Sequence, residues 1–426
     1  MSAVNSIPSG YKVNGCGATR ESTVGYKQTE VGVIPEDWEV KPLIEVATIA
    51  TGNTPPTSVS ANYGDEYFFV SPADLGEHKY ILDAGKKLSQ KGFGISRKFP
   101  SSSVLFTCIG STIGKCGIAP IELTSNQQIN AIFPDKSFSS EYLYYELSFL
   151  SPRIKALAGE QAVPLINKTQ FGESPVALPP LPEQRAIAAA LSDVDALLAA
   201  QDKLIAKKRD IKQAAMQQLL TGKQRLPGFS GEWEVKRLGD IATFYKGNGL
   251  AKSELDPYGS EPCIHYGELF TRHPETITKI LNRTNTTDGV FRSVSNDVLM
   301  PTSDVTPNGL ARASCVQQAG IVLGGDILVI RANPKELNGS FLSYVIRQLR
   351  EQVMRLVSGT TVFHLYGADM KKFEFAMPPV DEQQAIVQIL DDMDADLAAL
   401  EQQRDKTRAV KQGMMQELLT GRIRLV

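Results

Sequence analysis

The sequence predicts a duplicated molecule: two mixed α/β domains, separated by two long helices that pack antiparallel on each other. Three observations predict this architecture. One stretch occurs twice, at 178–226 and at 377–425, and the two copies align without a gap. Within each copy, apolar residues recur mostly every three or four positions, as in a helix with one apolar stripe. Short apolar runs between turn residues fill the rest of the chain, which is typical of mixed domains.

Each copy of the repeat carries the start and stop signals of one long helix. A pair of prolines ends the preceding segment, a glutamate lies in the first turn, and a glycine follows the last turn. These residues are Pro179, Pro180, Glu183 and Gly222 in the first copy, and Pro378, Pro379, Glu382 and Gly421 in the second. A helix of this length spans about 55 Å, and its single apolar stripe needs a partner. Pairing of the two helices is the economical solution; the alternative is that each packs only on its own globular neighbour.

Length and composition narrow the class of protein. A chain of 426 residues is too long for one core, and its 42% hydrophobic and 22% charged content is ordinary for a globular protein. We expect a cytoplasmic protein, because no apolar run is long enough to span a membrane and no signal-peptide pattern opens the chain. The five scattered cysteines and four histidines predict a reduced protein without a metal site. The net charge of −2 confines any nucleic-acid surface to a local patch.

The boundaries follow from the repeat. We expect an extension at 1–34, a first globular domain at 35–177, the first long helix at 178–226, a second domain at 227–376, and the second helix at 377–426. The two domains open alike, since Trp38 corresponds to Trp233 and Gly52-Asn53 to Gly247-Asn248. Their interiors barely resemble each other in sequence, so the frame repeats while the remainder differs.

Strand-like and helix-like runs complete the two domains. Predicted strands are 67–70, 103–109, 127–133 and 173–178 in the first domain, and 297–300, 321–323, 327–330 and 372–377 in the second. Predicted helices are 141–157 and 339–357.

A search for chemistry finds no catalytic centre. The segment GSTIGK at 110–115 has one residue too few between its glycines for a phosphate loop, and Cys116 replaces the hydroxyl residue. It remains a plausible tight turn that presents backbone amides and Lys115 to a polyanion. The tetrapeptide DPYG at 256–259 is read as a turn. Hydrolase and metalloprotease motifs are absent, so we expect no catalytic, cofactor-binding or metal-binding residues.

A basic run lies on the first long helix: Lys203, Lys207, Lys208, Arg209 and Lys212. Such a run is usually the solvated face of a helix, and the alternative is a contact with nucleic acid or a partner protein.

With these features together, the sequence resembles the DNA-specificity subunit of type I restriction–modification systems over nearly its whole length. The most specific segments are PPLPEQRAI with LLTGKQRLPGF, and PPVDEQQAI with LLTGRIRL. The first domain adds TGNTP at 51–55, the segment 99–119, and SNQQINAI at 125–132. The second domain is more divergent and keeps mainly its opening around Trp233, GDILVIR at 325–331, and the exit into Pro378-Pro379.

The resemblance implies a fold and a role. In that family the two globular segments are target recognition domains, each reading one half of a bipartite DNA site. The repeated helices form an antiparallel coiled coil that sets the spacing, in an arrangement with internal pseudo-twofold symmetry. The subunit itself is not an enzyme and carries no cofactor. Two methyltransferase subunits bind S-adenosylmethionine, and restriction/translocase subunits use ATP and Mg²⁺. The expected partners are therefore double-stranded DNA and these subunits, with no membrane.

Polar residues in turns beside strands are the candidates for DNA contacts, since phosphate contacts set the register and base-edge contacts specify the sequence. In the first domain they are Thr51, Asn53, Ser111, Thr112, Lys115, Asn126 and Gln127; in the second they are Asn248, Lys252, Ser303, Asn308, Arg312, Thr361, His364 and Tyr366. A rival hypothesis is a scaffold whose domains bind proteins or sugars. The near-neutral net charge favours that rival, whereas the family motifs weigh against it.

Overall fold

The computed structural model describes residues 25–76, 78–159 and 162–425. The chain divides into two compact units, one of residues 1–199 with 406–426 and the other of residues 200–405. The division passes through both long helices. Each unit therefore contains one globular domain, part of the helix that follows it, and part of the other helix.

The first unit contains a four-stranded sheet, a five-stranded sheet and two separate pairs of strands. Its strands are β1 Tyr26–Thr29, β2 Gly32–Pro35, β3 Glu39–Pro42, β4 Ile49–Thr51, β5 Tyr63–Gly64, β6 Tyr67–Val70, β7 Lys87–Leu88, β8 Lys98–Phe99, β9 Val104–Thr107, β10 Cys116–Ile118, β11 Leu123–Ser125, β12 Ile129–Ile132 and β13 Pro175–Leu178. Its helices are α1 Leu43–Val46, α2 Gln90–Ile95, α3 Ser140–Ala156, α4 Lys168–Gly172 and the start of α5 Leu181–Leu219. One sheet has the order β10-β9-β12-β4 and the other the order β5-β7-β6-β11-β8, with β11 parallel to β6.

The second unit also contains a four-stranded sheet, a five-stranded sheet and two separate pairs of strands. Its strands are β14 Glu234–Arg237, β15 Ala242–Lys246, β16 Glu261–Ile264, β17 Thr276–Ile277, β18 Asn282–Thr284, β19 Phe291–Arg292, β20 Asp297–Pro301, β21 Ser303–Asp304, β22 Ser314–Val316, β23 Val322–Leu323, β24 Ile327–Ala332, β25 Phe363–His364 and β26 Glu374–Met377. Its helices are α6 Leu238–Ile241, α7 Glu268–Thr271, α8 Gly339–Gln348, α9 Arg350–Met354, α10 Gly367–Met370 and most of α11 Val380–Leu418. The sheets have the orders β15-β24-β20-β22-β17 and β18-β16-β23-β19.

The two domains share one strand topology. The order β10-β9-β12-β4 recurs as β22-β20-β24-β15, and the order β7-β6-β11-β8 recurs as β18-β16-β23-β19. The parallel pair within the second sheet recurs as well, because β23 runs parallel to β16. The sequences of the domain interiors have diverged, whereas their fold has not, in agreement with the predicted duplication of the whole unit.

Both long helices begin directly after their paired prolines and run for 39 residues each. The glycines that follow adopt left-handed backbone angles, with φ of 69° at Gly222 and 66° at Gly421, as predicted for helix ends. No described helix is long and apolar enough to cross a membrane.

The two helices run antiparallel, which confirms the predicted pairing within each unit. In the first unit, Ile187 and Leu191 near the start of α5 share a buried cluster with Leu418 near the end of α11. In the second unit, Lys212 near the end of α5 forms an ion pair with Asp394 near the start of α11. Both helices also pack on the globular domains, so the two solutions considered from the sequence are realised together.

Part of the basic run on α5 takes part in this pairing. Lys208, Arg209 and Lys212 form ion pairs with Asp396, Glu401 and Asp394 of α11, respectively. The side chains of Lys208 and Arg209 keep 42% and 60% of their exposure, so they lie on a solvated face as predicted, whereas Lys212 is largely buried. Lys203 and Lys207 remain exposed.

Two predicted boundaries also change. Helix 339–357 is divided into α8 and α9 at Leu349, whose ψ of 31° interrupts the helix. The predicted extension 1–34 ends in the antiparallel pair β1–β2, and Ile34 is buried beside Trp38. The first domain therefore includes residues before 35, while residues 1–24 lie outside the described part. The predicted strands 67–70 and 297–300 and the helix 141–157 are confirmed to within a residue.

Candidate nucleic-acid interface

A buried cluster joins the long helices to the first domain. Glu183, in the first turn of α5, is completely buried and accepts a hydrogen bond of 3.1 Å from Trp38 Nε1. Its carboxylate also pairs with the guanidinium of Arg424, which follows the end of α11. The same guanidinium holds Asp37, and this contact lowers the pKa of that carboxyl. We call Trp38, Glu183 and Arg424 the first clasp.

The second unit contains the same cluster. Glu382, in the first turn of α11, is completely buried and accepts a 3.1 Å hydrogen bond from Trp233 Nε1. Arg225, which follows the end of α5, donates to both of its carboxylate oxygens at 2.6 Å. These three residues are the second clasp. Each clasp therefore joins the start of one long helix to the end of the other. This explains why the Glu at the start and the Arg after the end have the same spacing in both copies of the repeat.

The residue after each clasp glutamate attaches the neighbouring helix of the domain. Gln184 accepts a hydrogen bond from Ser139 N, at the start of α3, and donates to Pro179 O. Gln383 accepts from Asn338 N, at the start of α8, and donates to Pro378 O. The glutamine of the Pro-Pro-x-x-Glu-Gln pattern thus attaches each domain to its long helix through hydrogen bonds.

The first domain brings its candidate residues to one edge, where loop 51–55 meets turn 125–128. Gly52 permits this approach, because a Cβ atom there would lie 2.2 Å from Asn126 O. Thr51 donates to Asn130 Oδ1 at 2.6 Å, across the β4–β12 pair. Thr54 donates to Gln127 Oε1 at 2.6 Å, and Gln127 is exposed. The edge is therefore a set of polar groups with fixed positions.

Asn53 and Asn126 form hydrogen bonds to other groups of this edge. Asn53 Oδ1 accepts from Arg97 N at 2.6 Å. Asn126 exchanges hydrogen bonds with Gln128, through its side-chain amide and its side-chain oxygen. Both side chains thereby hold the shape of the loops that would face DNA.

Turn 110–115 lies beside the same edge, since Cys108 N donates to Gln128 O at 2.8 Å. Ser111 is exposed, while Thr112 and Lys115 are partly buried. The amides of Ile113, Gly114 and Lys115 bond to backbone carbonyls within the hairpin. The expectation that this turn offers its amides to a polyanion is wrong for these three groups; the Lys115 ammonium remains without an ion-pair partner among the described residues.

Arg97 was missed by the sequence reasoning. It is exposed, and its guanidinium donates to Thr51 O at 2.6 Å. No motif in the sequence marks it, because it lies in the linker between α2 and β8. Only the folding of that linker against loop 51–55 brings it to the edge.

The second domain has the same edge, built from loop 246–250 and turn 323–326. Gly247 permits the approach as Gly52 does, since a Cβ atom there would lie 2.1 Å from Gly324 O. Asn248 donates to Gly289 O at 2.7 Å, so it holds its loop against the segment before β19. Asn53 holds its own loop against the segment before β8 in the same way. The correspondence of Gly52-Asn53 with Gly247-Asn248 is thereby given a physical reason.

A second group of candidates lies next to this edge, on the β21–β25 pair. Ser303 pairs with His364 in that ladder. The rings of His364 and Tyr366 lie 6.0 Å apart and nearly parallel, and Tyr366 is 54% exposed. Thr302 N donates to Asp326 O at 2.9 Å, which connects the group to turn 323–326.

The remaining candidates of the second domain are exposed: Lys252, Asn308, Arg312 and Thr361. Among the described residues, none of these four side chains has a hydrogen-bond or ion-pair partner. The structure leaves all four side chains available to a ligand.

Burial shifts the pKa of several thiols and imidazoles in the two units. Burial raises the pKa of the Cys108 and Cys116 thiols to about 12, so both remain protonated and are poor nucleophiles. Burial also lowers the pKa of His265 and His273. Within the described ranges, no three His, Cys, Asp or Glu side chains are placed to hold a metal ion.

Comparison with known proteins assigns the fold to a family. The family model for the type I restriction modification DNA specificity domain matches residues 35–207 and again residues 230–407. The type I restriction enzyme MjaIX specificity subunit of Methanocaldococcus jannaschii is 23% identical over 422 residues, which cover 94% of this chain and 96% of that protein.

Two solved structures share the fold over most of the chain. One is a chain from a structural study of complex assembly and conformational transition of the type I R-M system. It has a TM-score of 0.60 and 18% identity, and the match covers 92% of this chain and 99% of that chain. The other is the S subunit of a type I restriction–modification system from M. genitalium, with a TM-score of 0.56 and 15% identity, covering 89% and 96%. The two matched domains, the two long antiparallel helices and the relatives agree: this chain belongs to the family of type I restriction–modification DNA specificity subunits, which supply recognition rather than catalysis.

Proposed function

We propose that this chain reads a bipartite DNA site, with each globular domain contacting one half-site and the long helices setting the distance between them. One observation carries the proposal: the same edge is built twice on the same topology, with different side chains on it. Asn126 and Gln127 in the first domain correspond to Gly324 and Gly325 in the second, because Ser125 and Leu323 occupy the same place in the parallel strand pair. A constant scaffold with a variable polar edge suits two different DNA sequences.

The edges carry the groups that DNA reading needs. Amide and hydroxyl side chains can pair with base edges in the major groove, and cationic side chains can pair with phosphates. Gln127, Ser111 and Lys115 of the first domain are of these types, as are Arg312 and Tyr366 of the second. The net charge of −2 is compatible with this role, because contact with DNA needs only a local patch of cationic side chains.

The long helices support a second part of the proposal, the docking of two methyltransferase subunits. Because α5 and α11 carry matching sequences, they can present matching surfaces to two copies of one partner. Leu204 and Ile211 of α5 are 42% and 46% exposed, and Val410 of α11 is 57% exposed. Such apolar side chains on otherwise polar helices suit a partner's contact. In this proposal the methyltransferase subunits supply S-adenosylmethionine, and restriction/translocase subunits supply ATP and Mg²⁺.

A selection experiment tests the reading of DNA. The complex of this chain with its methyltransferase subunits is incubated with a randomised duplex library, and the bound DNA is sequenced at two salt concentrations. We expect two short half-sites separated by a gap of fixed length and free sequence, with weaker binding at high salt. Enrichment of a single uninterrupted motif, or of none, would contradict the proposal and favour a scaffold that binds proteins or sugars.

A further inference from the structure

We propose that Arg97 reads a guanine in the half-site of the first domain, and that the second domain has no equivalent arginine. This inference rests on the proposed function and names a residue that determines the specificity of one half-site. It follows from how Arg97 is held, from the absence of a counter-ion, and from what occupies its place in the second domain.

Arg97 is held at both ends by the loop that forms the recognition edge. Its backbone N–H donates to Asn53 Oδ1 at 2.6 Å, which fixes the main chain. Its guanidinium donates from Nη1 to Thr51 O, also at 2.6 Å. A long side chain held in this way loses little further conformational freedom when it binds a ligand, so its position is prepared in advance.

The charge of Arg97 is uncompensated within the described part of the chain. Two other arginines pair with carboxylates, Arg292 with Glu261 and Arg331 with Asp297, whereas Arg97 forms no such pair among the described residues. Arg97 contacts only a backbone carbonyl through its guanidinium, and it is exposed. The N–H groups that Thr51 O does not use have no acceptor among the described residues, so they remain free to bind a ligand that accepts hydrogen bonds.

The geometry of a guanidinium selects among the possible ligands. Its planar fork matches the O6 and N7 acceptors of guanine in the major groove, and this is the commonest specific contact between a protein and DNA. The neighbouring donors and acceptors of the edge, on Thr54 and Gln127, are amide and hydroxyl groups suited to the next base pair. A phosphate would also accept from the fork, and this alternative is an outcome of the test below.

The second domain differs at the corresponding position. Lys98 pairs with Thr124 in the first domain, and Arg292 pairs with Val322 in the equivalent strands of the second. The residue before each of these is Arg97 in one domain and Phe291 in the other. Phe291 lies 5.6 Å from the ring of Tyr245 and under the guanidinium of Arg331, so it belongs to the packing of that domain. The proposed guanine contact is thus confined to one half-site.

The test uses three variants of the full chain in complex with its methyltransferase subunits: Arg97→Ala, Arg97→Lys and the control Lys136→Ala. Lys136 is an exposed cation that follows the end of β12 remote from the recognition edge. Arg97→Lys keeps the charge but removes the fork, so it tests the proposal even where the alanine variant folds poorly. Methylation of duplexes with each base pair of the site varied in turn gives the preference at every position.

We expect both Arg97 variants to lose the preference for guanine at one position of one half-site by about tenfold or more, while the other half-site keeps its preferences. The Lys136→Ala complex should match the wild type. An equal fall on all sequences, or full rescue by lysine, would make Arg97 a phosphate contact and overturn the proposal. A wild-type complex that selects no split site would instead refute the proposed function itself, so the two failures are distinguishable.

Discussion

The first clasp makes a quantitative prediction about stability. In Arg424→Ala, the completely buried carboxylate of Glu183 keeps its hydrogen bond from Trp38 Nε1 but loses its counter-ion. Because the two partners lie 241 residues apart in sequence, the pair ties the end of the chain to the start of α5. Loss of the pair should therefore destabilise the first unit as a whole.

The size of the effect follows from the burial of the pair. Removing one partner of a buried ion pair costs about 3–5 kcal/mol, because the other charge is left uncompensated. The Arg424 side chain keeps 17% of its exposure, so water screens part of the interaction and we expect about 3 kcal/mol. The additional contact with Asp37, whose side chain is 46% exposed, should add under about 1 kcal/mol.

The two tryptophans provide the assay. Trp38 and Trp233 are the only tryptophans of the sequence, and each belongs to one clasp. In a Trp233→Phe background, the fluorescence of Trp38 reports unfolding of the first unit alone. Urea unfolding of Arg424→Ala, Glu183→Gln and the double variant gives a thermodynamic cycle, and we expect a coupling energy above about 1.5 kcal/mol.

A matched control distinguishes the effect of losing a buried ion pair from the effect of losing a surface ion pair. Lys41→Ala removes a cation that pairs with Glu39 on the surface, where the two side chains keep 44% and 65% of their exposure. Its effect should be close to zero. If Arg424→Ala cost no more than Lys41→Ala, the clasp would contribute nothing to stability and the reasoning from burial would be refuted.

Three further predictions concern a buried acid, a glycine and the helices. Burial raises the pKa of Glu146 to about 8 from an ordinary 4.5. Between these pH values the folded protein holds a proton that the unfolded chain has lost, so the stability falls as the pH rises through this range. Glu146→Gln should therefore stabilise the first unit by up to about 3 kcal/mol at pH 7 and not at pH 4, as measured by urea unfolding. Gly52→Ala places a Cβ atom 2.2 Å from Asn126 O and should weaken recognition of one half-site in the library selection, whereas Gly94→Ala, with open space around it, should leave both half-sites unchanged. Inserting four residues in α5 lengthens it by about 6 Å and should alter the selected gap between half-sites.

Each of these predictions can fail in a specific way. A Glu146→Gln variant whose stability changes equally at both pH values would show that the carboxyl does not bind the extra proton. A Gly94→Ala complex as impaired as Gly52→Ala would show that the loss comes from general instability. A selected gap that stays constant after the insertion would contradict the role of the helices as a ruler.

The long helices and some of the strands could be predicted because their signals are local. Paired prolines, an apolar stripe and a terminal glycine mark α5 and α11, and alternating or continuous apolar runs mark β6 and β20. The shared strand topology of the two domains could not be predicted, because corresponding strands carry different residues that are alike only in being apolar. Pairing in a sheet depends on register between distant strands, which one sequence does not display.

The candidate site was predicted in part, for a similar reason. The Gly-Asn pairs were visible because they recur, and the structure shows that the glycines permit a close backbone approach. The acidic partners of the basic run on α5 could not be predicted, because they lie almost 200 residues away, for example 188 residues between Lys208 and Asp396. Arg97 carried no signal, since its role depends on a contact with Thr51 that only the folded chain makes.

Methylation sequencing tests the central claim most directly. Genomic DNA is sequenced from cells that express this chain with its methyltransferase subunits, and from cells that express the methyltransferase subunits alone. The account predicts a split motif, two short half-sites around a nonspecific gap, that is methylated only when this chain is present. An active methyltransferase partner with no new modified motif, or a motif unchanged by the absence of this chain, would contradict it.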